Sequence, residues 1–352
     1  MWPSNLLTER LSLKFPIILA PMGIITTPAL AAAVSNAGGL GGIGMWGLTT
    51  EEAARHIAGF RQLSPGSLNV NYPLWPEPIF TAEASEAMRR HLQRHYDAKA
   101  LGLVPQPRGV VSDVSPEHVA MLLEEKPEVV SFHFGLPHQE IIDTIKSAGI
   151  FIQSSATTVA EARVLERRGV DAVIAQGSEA GGHRATFTGV DISMQAGLFA
   201  LLPQIVDAVS VPVIAAGGIA DGRTAAAAFM LGASAVQLGT AFMRCEEANM
   251  YDAHRAALAQ ADDACTVVTD VISGRPARYI KNKLIDDLTA SGLKPLPIPS
   301  QLSLTFPLGA GGDREFAVLL SGQSAALAKD TNATELVERL AEDTTRRLRA
   351  FV

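Results

Sequence analysis

The sequence is poor in the residues that mark several protein classes. Only two cysteines occur in 352 residues, Cys245 and Cys265, which excludes a disulfide framework and suits a reducing compartment. No run of Lys or Arg is present and the net charge is -7, which argues against nucleic acid as a partner. The cysteines and histidines show no spacing typical of a metal site. We therefore predict neither a metal centre nor a bound nucleic acid.

Long uninterrupted apolar runs are also missing. The stretch 17–46 is broken by Pro21, Pro28 and several glycines, so it predicts strands and a helix and not a membrane span. The N-terminal segment carries Glu9 and Arg10 without an apolar core, unlike a signal peptide. These absences predict a cytoplasmic protein with no membrane segment.

The composition that is present favours a large buried core. Hydrophobic residues make up 47% of the chain and charged residues only 18%, which argues against disorder. The 30 glycines follow no period, so they indicate many tight loops and not a fibrous repeat. The length allows one large domain with an insertion, or two domains.

Eight short apolar runs, most followed by a segment of helical pattern, dominate the first two thirds of the chain. Because these runs are apolar on both faces, they predict a parallel sheet covered by helices. Eight strands close an α/β fold of the (β/α)₈ TIM-barrel type, and an open doubly wound sheet is the alternative. The predicted strands are 16–22, 39–44, 67–72, 129–134, 150–154, 172–176, 212–218 and 235–240.

The chain is longer than such a barrel, which takes about 250 residues. We predict the barrel over 1–243, with 73–107 as an excursion across one end. Residues 244–315 are predicted to form an inserted, mostly helical lid or small second domain. The segment 316–352 returns to a helical pattern and is predicted to pack back on the barrel.

The sixth predicted strand ends in a loop that carries three glycines, Glu179 and His183. Glycines let the backbone approach a ligand closely, and a histidine at a strand end is well placed as an acid or base. With its usual pKa of about 6.5, His183 would be a competent base at neutral pH. The alternative is a tight turn with a surface histidine.

His133 closes the fourth strand between two phenylalanines, so it is either a pocket residue, which we favour, or a buried core histidine. The other histidines fall on predicted helices or loops and are expected at the surface. They are His56, His91, His95, His118, His138 and His254.

The seventh and eighth strands both end in small residues, Gly217 and Gly218 in one and Gly239 and Thr240 in the other. In TIM barrels these two loops commonly bind a phosphate group through backbone N–H groups. The alternative is close packing of small residues without a ligand. The glycine-rich run 39–44 lies inside a predicted strand and is only a weak match to a dinucleotide-binding fingerprint, and no nucleophile elbow is present.

Several of these segments together resemble the nitronate monooxygenase family, also called 2-nitropropane dioxygenases. The loop Gly181-Gly182-His183 is typical of a superfamily that also contains FMN-dependent enoyl-acyl-carrier-protein reductases and NADH:quinone reductases. The segment 131–137, Ser-Phe-His-Phe-Gly-Leu-Pro, favours the monooxygenases. The resemblance covers 16–22, 130–137, 176–183, 215–221, 237–242, 274–278 with Asn282, and 321–325.

This resemblance implies an FMN-binding barrel. By position, three residues would line the isoalloxazine, namely Pro21, Met22 and Gly23. Asn69 and Gln176 would hydrogen-bond the flavin. The phosphate end would be held by Gly181, Gly218, Gln237, Leu238, Gly239 and Thr240, and Gly182 and Gly217 complete the implied cofactor site.

The resemblance also implies an activity. His183 would take a proton from the carbon next to a nitro group, the nitronate would reduce FMN, and O₂ would complete oxidation to a carbonyl compound and nitrite. The implied partners are therefore a small nitronate or nitroalkane and O₂, and a homodimer is a further expectation. Two hypotheses remain beside it: an NAD(P)H-dependent FMN reductase acting on a quinone or enoyl thioester, and a non-enzymatic phosphate- or flavin-binding barrel.

The sequence departs from the family pattern at two places. Ala185 stands where the family usually has glycine, two positions after His183. The segment 295–307 lacks the tyrosines and the lysine that the family carries near its substrate pocket.

Overall fold

The computed structural model of the protein describes residues 5–109, 114–189 and 191–350, and it contains two sheets. One has eight parallel strands and the other has three antiparallel strands. In chain order the strands are β1 (Ile17–Leu19), β2 (Gly41–Gly44), β3 (Leu68–Pro73), β4 (Val129–His133), β5 (Phe151–Ala156), β6 (Ala172–Gln176), β7 (Gly182–His183), β8 (Val213–Ala216), β9 (Ala235–Leu238), β10 (Thr266–Thr269) and β11 (Ala277–Ile280).

The large sheet closes on itself. Its strands follow the order β1-β9-β8-β6-β5-β4-β3-β2. The two ends meet through a parallel bridge between Ile18 and Leu40, where Leu19 N donates to Leu40 O at 2.9 Å. The predicted (β/α)₈ TIM barrel is therefore confirmed, and each of the eight predicted strands overlaps a strand of this sheet.

Helices cover the outside of the barrel and build the added segments. In the helix Pro28–Asn36, Pro28 occupies the first turn, as its fixed φ allows, and the Thr27 side chain caps the helix. The next helix begins at Thr50, and Thr49 caps it by forming the capping box with Glu52. The helices are α1 (Leu6–Arg10), α2 (Pro28–Asn36), α3 (Thr50–Leu63), α4 (Ala82–Ala98), α5 (Pro116–Glu125), α6 (Gln139–Ser147), α7 (Val159–Arg167), α8 (Leu198–Val206), α9 (Gly222–Met230), α10 (Asp252–Ala259), α11 (Lys283–Ser291), α12 (Ser300–Thr305) and α13 (Ala333–Arg349).

The barrel interior changes from apolar to polar toward the carboxyl ends of the strands. Side chains two positions apart on a strand share a face. At the amino end, the inward face carries a buried apolar cluster that includes Ile18, Val129 and Phe151. Farther along the same faces lie polar side chains, among them Asn69, Asn71, Ser131, His133, Gln153, Gln176 and Gln237.

The excursion after β3 and the segment after β9 share a second hydrophobic core. Leu92 of α4 packs there with Leu284 and Leu288 of α11 and with Leu304 of α12. The small sheet β10-β11-β7 was not predicted, and it joins this region to the strand that carries His183.

The C-terminal helix α13 packs against α9 and α2. The predicted division at 243 and 315 stays a prediction. In the described residues, no helix is both long and apolar enough to cross a membrane.

Candidate active site

His183 is held by strand pairing at the carboxyl end of the barrel. It lies in β7, opposite Ala277 of β11, and the next residue, Arg184, donates its backbone N–H to Pro276 O at 2.9 Å. The histidine predicted as a base therefore sits on a short antiparallel strand and not on a free loop. The alternative of a surface histidine in a tight turn is wrong, because the side chain is partly buried and its ring is hydrogen-bonded.

Hydrogen bonds through the Ser273 hydroxyl determine the tautomer of His183. Its Nε2 lies 2.9 Å from Ser273 Oγ. The Ser273 hydroxyl donates to Arg275 O at 3.0 Å, and Tyr279 OH donates to Ser273 Oγ at 3.0 Å. With its only proton committed, Ser273 can only accept from His183, so Nε2 carries the hydrogen. Nδ1 is left with the lone pair that a base needs.

The backbone of His183 is fixed as firmly as its ring. Its carbonyl oxygen accepts from His133 Nε2 and from Gln176 Nε2, each at 3.1 Å. Gln176 Oε1 accepts from Ala185 N at 2.9 Å, so the Gln176 amide bonds to the backbone on both sides of Arg184. His133 and Gln176 thus position His183. Their predicted roles in the substrate pocket and against the flavin stay predictions.

Burial keeps both histidines neutral. The pKa of His183 falls to about 3, first because burial disfavours the charged ring and then because a protonated His133 and the Arg275 guanidinium would repel its positive charge. The pKa of His133 falls to about 4, again mainly through burial. The expectation that His183 keeps its usual pKa is therefore wrong, and the enclosed ring is a weaker base than a free imidazole, although it is fully in the neutral form at pH 7. The sequence pattern carries no information on how deeply the ring is enclosed.

Arg275 and Phe134 form one side of the site next to His183. The Arg275 guanidinium carbon lies 3.9 Å from the centroid of the Phe134 ring, a cation–π contact. The Phe134 ring stands edge-on to the His183 ring, with centroids 6.1 Å apart. Trp75 and Ile298 pack with Phe134 in a buried cluster, so the wall continues as an apolar surface.

A buried carboxylate supports the loop after His183. Glu161 is fully buried and accepts hydrogen bonds from the backbone and hydroxyl of Thr157, each at 2.7 Å. Its other oxygen accepts from Thr186 Oγ1 and Phe187 N, both at 2.8 Å, and from Thr188. Burial tends to raise the pKa of Glu161, but these hydrogen bonds outweigh it and lower the pKa.

The predicted cofactor glycines lie where three barrel loops and the segment 321–323 meet. An added Cβ at Gly181 would lie 2.5 Å from Gly322 N, and one at Gly217 would lie 2.9 Å from Ala180 N. Gly322 N also donates to Thr240 Oγ1 at 3.0 Å. The close approach of these loops therefore requires glycine at Gly181 and Gly217, and the predicted phosphate-binding role of the loops after β8 and β9 stays a prediction.

Other predicted cofactor residues border open space. A Cβ at Gly23 or Gly182 would meet no atom within 4 Å, although both have positive φ. A Cβ at Gly239 would touch Met22 Sδ at 3.4 Å, which places the ends of β1 and β9 side by side. Pro21 and Met22 are partly buried at this edge.

Unpaired amides inside the barrel indicate a polar ligand. Both polar atoms of Asn69 and of Gln153, and Gln237 Oε1, are buried without a hydrogen-bond partner among the described residues. Buried polar groups are normally paired, so these call for a bound group that both donates and accepts. A flavin ring offers such a mixture of N–H, ring nitrogen and carbonyl groups. The residues present therefore fit a flavin, and Gln153 adds an amide that the sequence analysis did not select.

Two comparisons of sequence give the same result. The family model described as nitronate monooxygenase matches residues 4–343. A probable nitronate monooxygenase of Staphylococcus aureus strain JH9 is 38% identical over 346 residues, covering 97% of each chain.

The chain belongs to the nitronate monooxygenase family. It is therefore an oxidoreductase enzyme, as predicted from the resemblance. Among solved structures, a nitroalkane oxidase from Streptomyces ansochromogenes matches with a TM-score of 0.91 and 36% identity, over 99% of this chain and all of that one. FabK from Thermotoga maritima matches over the same share of this chain with a TM-score of 0.78 and 29% identity.

The structure shows the surroundings of both places where the sequence departs from the family pattern. Ala185 is fully buried and does not have positive φ, so its backbone does not require the glycine usual in the family. In the segment 295–307, Ile298 contributes the apolar contact with Trp75 and Phe134.

Several site residues were missed by the sequence analysis. Ser273, Tyr279 and Arg275 lie about 90 residues after His183, and no local pattern links them to it. Glu161 follows Thr158 with the spacing of a capping box, which suggests an exposed helix start.

His254 was predicted at the surface, but it is buried and its Nε2 bonds to Leu320 O at 2.9 Å.

Proposed function

We propose that this enzyme oxidises alkyl nitronates, and the nitroalkanes that give rise to them, with FMN as its flavin and O₂ as its oxidant. The products are a carbonyl compound and nitrite. The observation that carries the proposal is a neutral imidazole, His183, with its tautomer fixed by Ser273, at the mouth of a barrel lined with unpaired amides.

The proton step follows from the state of His183. Its Nδ1 lone pair takes the proton from the carbon bearing the nitro group. The electrons of the broken C–H bond form a C=N bond, and the negative charge moves to the nitro oxygens. The new imidazolium stays hydrogen-bonded to Ser273 through Nε2. The Arg275 guanidinium, which contacts the Phe134 ring, is available to attract the nitronate charge.

The remaining residues bind and orient. When bound, the flavin supplies the redox chemistry, taking electrons from the nitronate and passing them to O₂. Asn69, Gln153 and Gln237 offer the amides that would hold its ring. The cluster of Trp75, Phe134 and Ile298 excludes water from the side next to the base and suits a short alkyl chain.

The decisive experiment joins a spectrum with anaerobic reduction. We expect purified protein to be yellow, to release FMN on denaturation, and to be bleached when mixed with an alkyl nitronate without O₂. Readmission of air should restore the colour and release nitrite. Bleaching by NADH and not by nitronate would select the alternative of an NAD(P)H-dependent reductase. A colourless protein that takes up no FMN would exclude both.

The depressed pKa of His183 predicts an unusual pH profile. For a neutral nitroalkane, kcat/KM should show no loss near pH 6.5 and stay level down to about pH 5, because the free enzyme keeps the ring neutral until about pH 3. Initial rates of O₂ uptake would measure this. A protonation with midpoint close to 6.5 would contradict the burial of this ring.

The same shift affects folding in a known direction. A histidine with a lowered folded pKa binds protons better when unfolded, so its contribution is complete above about pH 6.5 and is lost toward pH 3. His133, His183 and His254 all act in this sense. A urea titration at each pH should therefore accompany the rate profile to show that the enzyme is folded.

A further inference from the structure

We propose that His91, His95 and Asp287 form a binding site for a divalent transition-metal ion of the Zn²⁺ type. The two histidines lie on α4 of the excursion, and Asp287 lies on α11 of the inserted segment. None of the three belongs to the site around His183. The ion would bridge two helices that are far apart in sequence.

The geometry of the three donor atoms suits a small cation. His91 and His95 are four residues apart on one helix and therefore face the same side. Asp287 Oδ2 lies 3.2 Å from His91 Nε2 and 2.7 Å from His95 Nε2, and all three donors lie within 4.8 Å of one another. Tetrahedral Zn²⁺ with bonds of about 2.0 Å needs donors about 3.3 Å apart. Small side-chain rotations reach that arrangement.

The site is held in place and still reachable from solvent. The side chains of His91, His95 and Asp287 are 17%, 11% and 22% exposed. Beneath them, Leu92 of α4 and Leu288 of α11 are buried in the second hydrophobic core, which fixes the spacing of the two helices. An ion would therefore find donors already assembled.

The two oxygens of the Asp287 carboxylate have different partners. Arg94 donates to Oδ1 at 2.5 Å, whereas Oδ2 faces the two imidazoles. Such an outer partner orients a metal-binding carboxylate. Burial tends to raise the pKa of Asp287, but hydrogen bonds from His95 and Arg94 lower it, so the group is ionised at neutral pH.

The donor set also selects the class of ion. Two imidazoles and one carboxylate favour Zn²⁺, Ni²⁺ or Cu²⁺, whereas Mg²⁺ and Ca²⁺ prefer oxygen donors. The sequence analysis overlooked the spacing of His91 and His95, which are four residues apart, and the third donor follows His95 by 192 residues.

The test uses the full-length, tag-free enzyme stripped of metal with a chelator. We expect calorimetric titration to show one Zn²⁺ bound, and melting to shift upward by about 3 °C or more near saturation. Mg²⁺ should produce neither effect. His95→Gln and Asp287→Asn should weaken Zn²⁺ binding by at least about 100-fold, because each removes a ligand.

The matched control is His138→Gln, which changes an exposed histidine outside the cluster and should leave Zn²⁺ affinity unchanged. His91 is the more exposed of the two histidines in the cluster, so His91→Gln provides a second variant if His95→Gln is poorly folded. Absence of Zn²⁺ binding by the parent, or equal affinity in the parent and the folded variants, would overturn the proposal. The cluster would then be an ion-pair network only.

Discussion

His183→Asn is expected to keep its flavin and to lose about 100- to 10,000-fold in kcat/KM on a neutral nitroalkane, the range that general-base catalysis contributes. The pairing of β7 with β11 is made by the backbone and does not depend on the side chain at position 183, so it should remain. It has no nitrogen lone pair that can take a proton. The measurement is O₂ uptake with the nitroalkane beside an absorbance spectrum of the bound flavin.

The same variant should lose far less on a preformed nitronate, since that substrate has already given up its proton. Ser273→Ala is the matched variant, because it keeps the imidazole and removes only the acceptor that selects its tautomer. We expect its loss on nitroalkane to lie between the parent and His183→Asn. Equal rates of His183→Asn and the parent on nitroalkane would remove His183 from the role of base.

Glu161→Gln is expected to lower the free energy of unfolding by about 3 kcal/mol or more, although the two side chains have the same shape. Both carboxylate oxygens accept from backbone N–H groups, Thr157 N on one side and Phe187 N on the other. The amide NH₂ of glutamine must face one of these donors, and neither can reverse its direction. Urea unfolding of purified protein measures the loss.

Hydrogen exchange should locate the damage of Glu161→Gln in the segment 186–188, which Glu161 holds directly. Arg275 donates to Thr186 O, so loosening this segment should also lower activity. Glu124→Gln on the exposed side of α5 is the control and should leave both properties unchanged. A Glu161→Gln protein as stable as the control would show that the carboxylate charge is unimportant.

The barrel was predictable from sequence because each strand is a local signal. An apolar run that is followed by glycine, such as 172–176 before Gly177, shows its own boundaries in the sequence, and a helical segment usually follows. Closure is different, since it depends on the contact of Ile18 with Leu40, which no local pattern encodes. The count of eight strands made that contact an expectation.

The position of His183 was predictable for the same reason, but its chemical state was not. The lowered pKa and the selected tautomer arise from Ser273, Arg275 and Tyr279, which follow His183 by about 90 residues. Such partners are brought together only by tertiary packing. The segment 244–315 was likewise predicted to be mostly helical, because β10 and β11 are only four residues each and give weak sequence signals.

One consequence follows from the pairing of β7 with β11. The strand that carries His183 joins the barrel to the second hydrophobic core, so the two parts cannot separate without breaking the hydrogen bonds between β7 and β11. We therefore expect reactants to reach His183 through side-chain movement at the carboxyl end of the barrel, without separation of the barrel from the second hydrophobic core. Substitutions that destabilise the second hydrophobic core should therefore lower the activity that depends on His183 while the barrel stays folded.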